Sequence, residues 1–180
     1  MKQVRTRFAP SPTGNPHVGN MRTALFEYLF AHHNRGKFIF RLEDTDRERS
    51  VEGGEAYLVD ALKWLGIEPD EGVGYGGDCG PYRQSERLEI YQEHIRMLLE
   101  NGGAYYCFCS KERLEDLRKE QTTRHEPPRY DKKCANLGTK EVQRMLQTST
   151  NHVVRLSVPG GERISWHDLV RGEVAFASSE

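Results

Sequence analysis

The feature that most constrains this chain is the order of textures over residues 5–46: an alternating stretch, a proline- and glycine-rich break, a helical run, a solid apolar stretch and an acidic close. Val4, Thr6 and Phe8 alternate with Arg5 and Arg7, the two-residue period of a strand. Pro10, Pro12, Gly14 and Asn15 interrupt it. Residues 21–33 read as a helix whose inward stripe is expected at Leu25, Leu29 and His32 or His33, with Phe26 and Phe30 beside it. Residues 38–42 read as a buried strand that ends on Glu43, and ligands of open α/β sheets gather at strand C-terminal ends.

A helix that follows directly on a Gly- and Pro-rich loop points unpaired N–H groups and a partial positive charge at whatever sits there, and phosphate suits that place. His17 stands at the entrance with a ring donor for a phosphate or ribose oxygen, and Gly19 leaves room for a flat base against the backbone. A turn carrying a surface histidine fits the same letters, so the loop argues only together with Arg7 and Glu43. At the end of a first strand, Arg7 can grip a carboxylate with two parallel donors, which the recognition of an acidic amino acid requires.

The totals narrow the class. With 180 residues the chain can form one modest domain or two small ones. Its 26 Lys and Arg against 27 Asp and Glu exclude a histone-like, tail-driven nucleic-acid binder while leaving room for a local basic face. No stretch is apolar for long enough to span a bilayer, and the first five residues lack a secretory core. Four cysteines, three of them clustered, suit a reducing compartment and a metal site better than a disulfide framework.

Further along, residues 53–65 read as an amphipathic helix with Tyr57 or Leu58, Ala61, Leu62 and Leu65 inward, ended by Gly66. Residues 68–81 read as a surface loop, and Ser85 as the cap of a helix carrying Leu88, Tyr91, Ile95 and Leu98. Asn101, Gly102 and Gly103 mark the best domain boundary. Beyond it come a short strand at 104–108, a charged helix at 111–120 with Leu114 and Leu117 inward, an irregular loop at 121–129, and a short helix at 139–146. Strands are expected at 153–158, 164–169 and 174–177, with Pro159, Gly160 and Gly161 turning the first into the second.

Cys107-x-Cys109 followed by Tyr130-x-x-x-Cys134 is the second strong signal. Thiolates one residue apart can reach one ion from a turn, and a closed structural zinc site takes four ligands in a tetrahedron. Three cysteines leave one place, open to Tyr130, to His125 or to water, and the competing reading is a set of buried small hydrophobes. Cys79 lies apart in a glycine-rich loop as a bystander.

Arg-Phe-Ala-Pro-Ser-Pro-Thr-Gly ending at Gly14, the Pro16–Asn20 loop, and Glu43-Asp-Thr-Asp46 together resemble the amino-terminal part of the glutamyl-tRNA synthetase family of class I aminoacyl-tRNA synthetases. The loop corresponds to the HIGH signature of that class, with Val18 for its isoleucine and Asn20 for its second histidine. The likeness continues through Gly80-Pro-Tyr-Arg-Gln-Ser-Glu-Arg87 and Cys107-Phe-Cys109 over nearly the whole chain.

The resemblance implies an α/β fold: the first half of a Rossmann-like nucleotide-binding domain over residues 1–100, then an α+β, zinc-bearing insertion over 101–180 that grips the tRNA acceptor end. It implies that Arg7, Ala9 and Ser11 bind substrate glutamate with Glu43 on its ammonium. It places His17, Gly19 and Thr13 at ATP, sets His17, Gly19 and Asn20 as the catalytic loop, and gives zinc to Cys107, Cys109, Tyr130 and Cys134. Partners so implied are L-glutamate, ATP with Mg2+ and the acceptor end of tRNA(Glu), for a monomer of the cytoplasm or an organelle matrix. Asp44 and Asp46 fit capping or solvated roles equally well, and Arg47 and Arg49 an RNA-facing or simply wet surface. Neither a Lys-Met-Ser-Lys-Ser-like loop nor an anticodon-binding domain follows, so the sequence reads as a truncated portion expected to be inactive alone. A shorter paralogue that charges a modified nucleoside of tRNA(Asp), glutaminyl-tRNA synthetase, and a non-catalytic zinc-stabilised RNA-binding module are the alternatives. The acidic motif with Arg47 and Arg49, and the 80–87 motif, fit the tRNA(Glu) enzyme better than the paralogue.

Overall fold

The structure is a computed structural model that describes residues 3–178. Two compact units divide between Tyr91 and Gln92.

In the first unit, strands β1 (Arg5–Phe8), β2 (Lys37–Phe40) and β3 (Glu71–Gly72) form a parallel sheet in that order, joined by helices α1 (Val18–His33) and α2 (Gly54–Trp64). Thr6 and Phe8 face the same side as Phe38 and Phe40, which the in-line pairing Thr6 with Phe38 and Phe8 with Phe40 requires. The Phe8 and Phe40 rings stack with centroids 6.2 Å apart, and Tyr28 of α1 meets Phe38 edge-on at 5.8 Å. Leu58 and Leu62 of α2, Ile67 and Val73 complete one core with Ala24 and Ala31 of α1.

The inward stripe of α1 differs from the expected one. Ala24 and Ala31 are fully buried with Met21 and Tyr28 packed beside them, whereas Leu25, Phe26, Leu29 and Phe30 lie outward with Val18. His32 and His33 are exposed as well, His32 lying against the Tyr28 ring. Large Phe side chains on the strands fill the centre of the interface, so the helix sets Ala24 and Ala31 against the sheet with Met21 and Tyr28 at the margin. The helix is apolar on both stripes, and periodicity alone could not choose between them.

In α2, Leu58 and Leu62 point inward as expected, while Tyr57 and Leu65 stay substantially exposed. Gly66, at φ 68°, closes the helix in the left-handed conformation and donates its N–H to Lys63. Residues 68–81 are not purely a surface loop. They contain β3, in which Glu71 and Gly72 are buried, and a two-residue strand among glycines and acids leaves no alternation to read. Ser85 lies inside a 3-10 turn (Gln84–Arg87) that precedes α3 (Leu88–Glu100), and it serves another purpose than capping α3.

In the second unit, β4 (Ala104–Cys107) pairs antiparallel with β5 (Val153–Leu156). Between them run α4 (Lys111–Thr123), a 3-10 turn (Lys133–Asn136) and α5 (Thr139–Thr148). Strands β6 (Arg163–Asp168) and β7 (Gly172–Ala177) form a separate hairpin. The expected turn at 159–161 therefore does not pair β5 with β6. The hairpin turn is instead built by Asp168, whose carboxylate accepts from the Val170 and Arg171 N–H groups, with Gly172 at φ 75°. Helix α4 runs past residue 120 because Gln121, buried on its inner side, exchanges two hydrogen bonds with the Arg129 backbone and ties down the loop that follows. Among the described residues no helix is long and apolar enough to cross a membrane.

Candidate active site and metal centre

The parallel ladder between β1 and β2 runs on past both strands. Arg41 N–H donates to Phe8 at 3.0 Å and Glu43 N–H to Pro10 at 2.9 Å, so the register that sets Arg7 against Ile39 also sets Ala9 against Arg41 and Ser11 against Glu43. Alternation then gives Arg7, Ala9, Ser11 and Glu43 one face, opposite the Phe8 and Phe40 core, at the strand C-terminal ends. Pro10 and Pro12 sit on the outer strand and act only as acceptors, Pro12 taking the Val51 N–H at 2.9 Å. Gly54 starts α2 against this loop: a Cβ there would lie 2.8 Å from the Pro12 carbonyl oxygen. Glu43 is 3.6 Å from Arg41, whose guanidinium also donates to the Tyr91 hydroxyl at 2.7 Å. Arg7 is exposed and enters none of the ion pairs seen among the described residues.

Helix α1 begins at Val18, three residues earlier than periodicity suggests, because His17 caps it. The His17 Nδ1 accepts the Gly19 N–H at 3.1 Å, and the Asn20 Oδ1 accepts the His17 N–H at 3.1 Å, a reciprocal capping box. A neutral imidazole that accepts at Nδ1 carries its proton on Nε2, which is left as a donor. The ring therefore lies back over Gly19, where an added Cβ would come within 2.8 Å of it. Asn20, the departure from the class signature, has a concrete structural use in this box. Thr13 lies half-buried in the same loop.

The acidic motif resolves into supports. Asp44 accepts both the Ser85 N–H, at 2.8 Å, and the Ser85 hydroxyl, at 2.5 Å. Burial opposes its ionisation, but those two donors hold its carboxyl below the usual range. Asp46 receives the Arg49 N–H and guanidinium, and Arg83 grips Glu55 through two bonds of 2.9 and 2.7 Å.

A residue that the sequence did not single out ties the three strands together, level with Ile39 and Arg7 in the register. Glu71 is 2% exposed and accepts from Arg5 at 2.8 and 2.6 Å, from Lys37 at 2.8 Å and from the Tyr82 hydroxyl at 2.9 Å. Arg5, then Lys37, then Tyr82 bring its carboxyl down to about 2. The only sequence hint is an acid among loop glycines, facing a cation at the start of each neighbouring strand.

In the second unit, Cys107, Cys109 and Cys134 bring their sulfurs within 4.8 Å of one another, a set that could hold a metal ion. The Tyr130 hydroxyl joins them at 3.3 Å from Cys107 and 3.4 Å from Cys109, and Cys109 and Cys134 are 3.6 Å apart. A zinc tetrahedron of three sulfurs and one oxygen has edges of about 3.8 Å between sulfurs and about 3.5 Å between sulfur and oxygen. The three separations of 3.3, 3.4 and 3.6 Å lie close to those edges. His125 is not in the group; it sits exposed after α4 at φ 56°. Burial works against the Cys107 thiolate, yet the Tyr130 hydroxyl and Arg155 bring that thiol down to about 7. Burial and the three sulfurs push the Tyr130 phenol up. Cys79 is exposed and distinct from this group.

A parallel βαβαβ sheet carries Arg7 and Glu43 on one face at its C-terminal edge and is joined by a helix that His17 caps. The chain belongs to the class I tRNA synthetases: the model of the E and Q catalytic domain of that class matches residues 3–180. Within the class, its similarity runs to glutamate–tRNA ligases. It is 53% identical to that of Bacillus licheniformis over 174 residues and 51% identical to that of Bacillus subtilis over 176. These alignments take in 97% and 98% of the chain and 36% of each relative. The crystal structure of a glutamate tRNA ligase from Elizabethkingia meningosepticum in complex with its amino acid superposes at a TM-score of 0.90 with 40% identity, over 99% of this chain and 37% of that one. The chain thus spans about a third of the length of the relatives it matches.

Proposed function

We propose that the chain supplies the first half of the catalytic domain, residues 1–100, and the acceptor-binding insertion, residues 101–180, of a glutamate–tRNA ligase. The activity is ATP-dependent formation of glutamyl-adenylate followed by transfer to the terminal ribose of tRNA(Glu), by a monomer in the cytoplasm or an organelle matrix. The observation that carries this reading is the shared face of Arg7, Ala9, Ser11 and Glu43 at the strand C-terminal ends.

Arg7 meets the side-chain carboxylate of glutamate with two donors, and Ser11 and Ala9 shape the same wall. Glu43 leaves Arg41 for the α-ammonium. A neutral glutamine amide would face an unpaired guanidinium and be rejected. Positioning carries the chemistry, since the α-carboxylate of the amino acid attacks the α-phosphate of ATP in line and no covalent enzyme intermediate is needed. The His17 Nε2–H and the α1 N-terminus offer donors to the phosphates as charge moves to pyrophosphate, with Gly19 and Thr13 bordering the nucleotide and Mg2+ entering on ATP. Asn20 keeps the His17 ring in its capping orientation. Cys107, Cys109, Tyr130 and Cys134 form a closed ligand set for structural zinc, which would fix the insertion that faces the acceptor end.

The test is a chimera in which residues 1–180 replace the matching part of the Bacillus licheniformis relative. Glutamate-dependent exchange of pyrophosphate into ATP is expected, with its loss in Arg7→Ala. An inactive chimera, beside an active intact relative, would overturn the reading.

A further inference from the structure

We propose that Arg155 is the counter-cation of the metal centre, a positioning residue outside the ligand set that fixes how tightly the cluster holds zinc. The inference rests on the zinc reading above and adds a residue to it. Zinc with three thiolates and one phenolate carries two net negative charges, and such a cluster at a partly buried place needs positive charge nearby.

Two guanidiniums approach the four ligand atoms. Arg113 donates to the Cys109 sulfur at 3.4 Å, but its other nitrogen binds the Asp131 carboxylate, so most of its charge is already matched. Arg155 has no carboxylate partner among the ion pairs of the described residues. Its guanidinium carbon lies 4.1 Å from the centre of the Tyr130 ring. Its Nε is buried without a hydrogen-bond partner, a cost that a strong local negative charge would offset. The β4–β5 register sets Arg155 against Tyr105, two residues from Cys107, which brings its long side chain to the cluster from the sheet side.

A cation stacked on a phenol favours negative charge in that ring. Arg155 thus places its charge directly on the face of one ligand of the cluster. Lysine could carry the charge but not the planar stack.

The competing explanation is that Arg155 only packs its aliphatic stem, and Arg155→Met separates the two because methionine keeps the bulk without the charge. Zinc affinity is read by competition with a chromophoric chelator, using the 180-residue chain. Arg155→Met is expected to bind zinc roughly 10–100-fold more weakly, the usual effect of removing a partner behind a metal ligand. Arg155→Lys should fall between it and the parent, and Lys140→Met on exposed α5 should match the parent. Cobalt substitution supplies a second readout: Arg155→Met should need more cobalt yet reach the same thiolate charge-transfer intensity, showing the ligand set intact. Should Arg155→Met not fold, as judged by circular dichroism, Arg155→Gln takes its place under the same criterion. Affinity within about threefold of the parent would overturn the role of Arg155 alone. A parent chain that binds neither zinc nor cobalt would overturn the zinc reading and this inference with it.

Discussion

Arg5 grips Glu71 through two parallel hydrogen bonds, at 2.8 and 2.6 Å, across the width of the parallel sheet, from the first strand to the third. The pair joins the start of β1 to the last strand of the sheet and so ties the three strands together. Arg5 and Lys37 keep about a third of their side-chain surface in water, so the pair is half-buried, and hydrogen bonds to a charged group contribute about 1.5–3 kcal/mol. Glu71→Gln keeps the shape and leaves Arg5 and Lys37 partly solvated, so a loss of about 1–2 kcal/mol is expected, read from hydrogen-exchange protection of the Phe38 and Ile39 amides.

The same carboxylate sets a pH dependence. Its pKa falls from 4.5 to about 2 on folding, so its contribution is complete above pH 4.5 and fades as pH drops toward 2. The stability difference between the parent and Glu71→Gln should therefore shrink over that window. Equal differences at pH 7 and pH 2.5 would refute the linkage.

At the α1 entrance, capping and ligand contact belong to different atoms of one ring. His17→Asn keeps an acceptor for the Gly19 N–H and should leave thermal stability nearly unchanged, whereas His17→Ala should cost about 1 kcal/mol. Both should weaken binding of an ATP analogue to the active chimera, because both lose the Nε2 donor. Undiminished nucleotide binding by His17→Asn would remove His17 from the phosphate site.

Gly54 allows α2 to begin against the proline loop. Gly54→Ala puts a methyl group 2.8 Å from the Pro12 carbonyl oxygen, which must shift. Overpacking of this kind costs about 1–3 kcal/mol. Urea denaturation should show that loss, and the chimera carrying it should show a raised KM for glutamate as Ser11 is displaced.

If zinc is held as proposed, prolonged dialysis against a chelator should release close to one zinc per chain and lower the thermal stability of the second unit. Cys134→Ser should mimic the treated protein. A metal-free parent with the same melting behaviour as the loaded one would refute a structural role.

Much of this was legible from residues because local chemistry and final position agree. Thr6 and Phe8 alternate as a strand should, and Gly66 stops α2 where a left-handed residue is needed. Cys107, Cys109 and Cys134 gather as their spacing suggests, with Tyr130, which only the family resemblance implied, against them. The failures share a physical cause, which is that partners distant in sequence decided the outcome. Ala24 and Ala31 face inward because Phe38 and Phe40 occupy the space, which the apolar pattern of α1 cannot express. β3 is two residues long and exists only because β2 offers an edge. Val153–Leu156 joins β4 rather than its neighbour in sequence. Glu71, Arg155 and Asp44 look like ordinary surface charges until the fold delivers Arg5, Tyr130 and Ser85 to them.

The outward stripe of α1 has a practical consequence. Val18 is 86% exposed and Phe26 63%, and Leu25, Leu29 and Phe30 of the same helix are exposed with them, an oily ridge rather than a single surface apolar residue. Handled as an isolated 180-residue polypeptide, the chain is expected to light up hydrophobic dyes, stick to column matrices and self-associate as it is concentrated. Replacing Phe26 and Leu29 by lysine should relieve this without disturbing the sheet beneath.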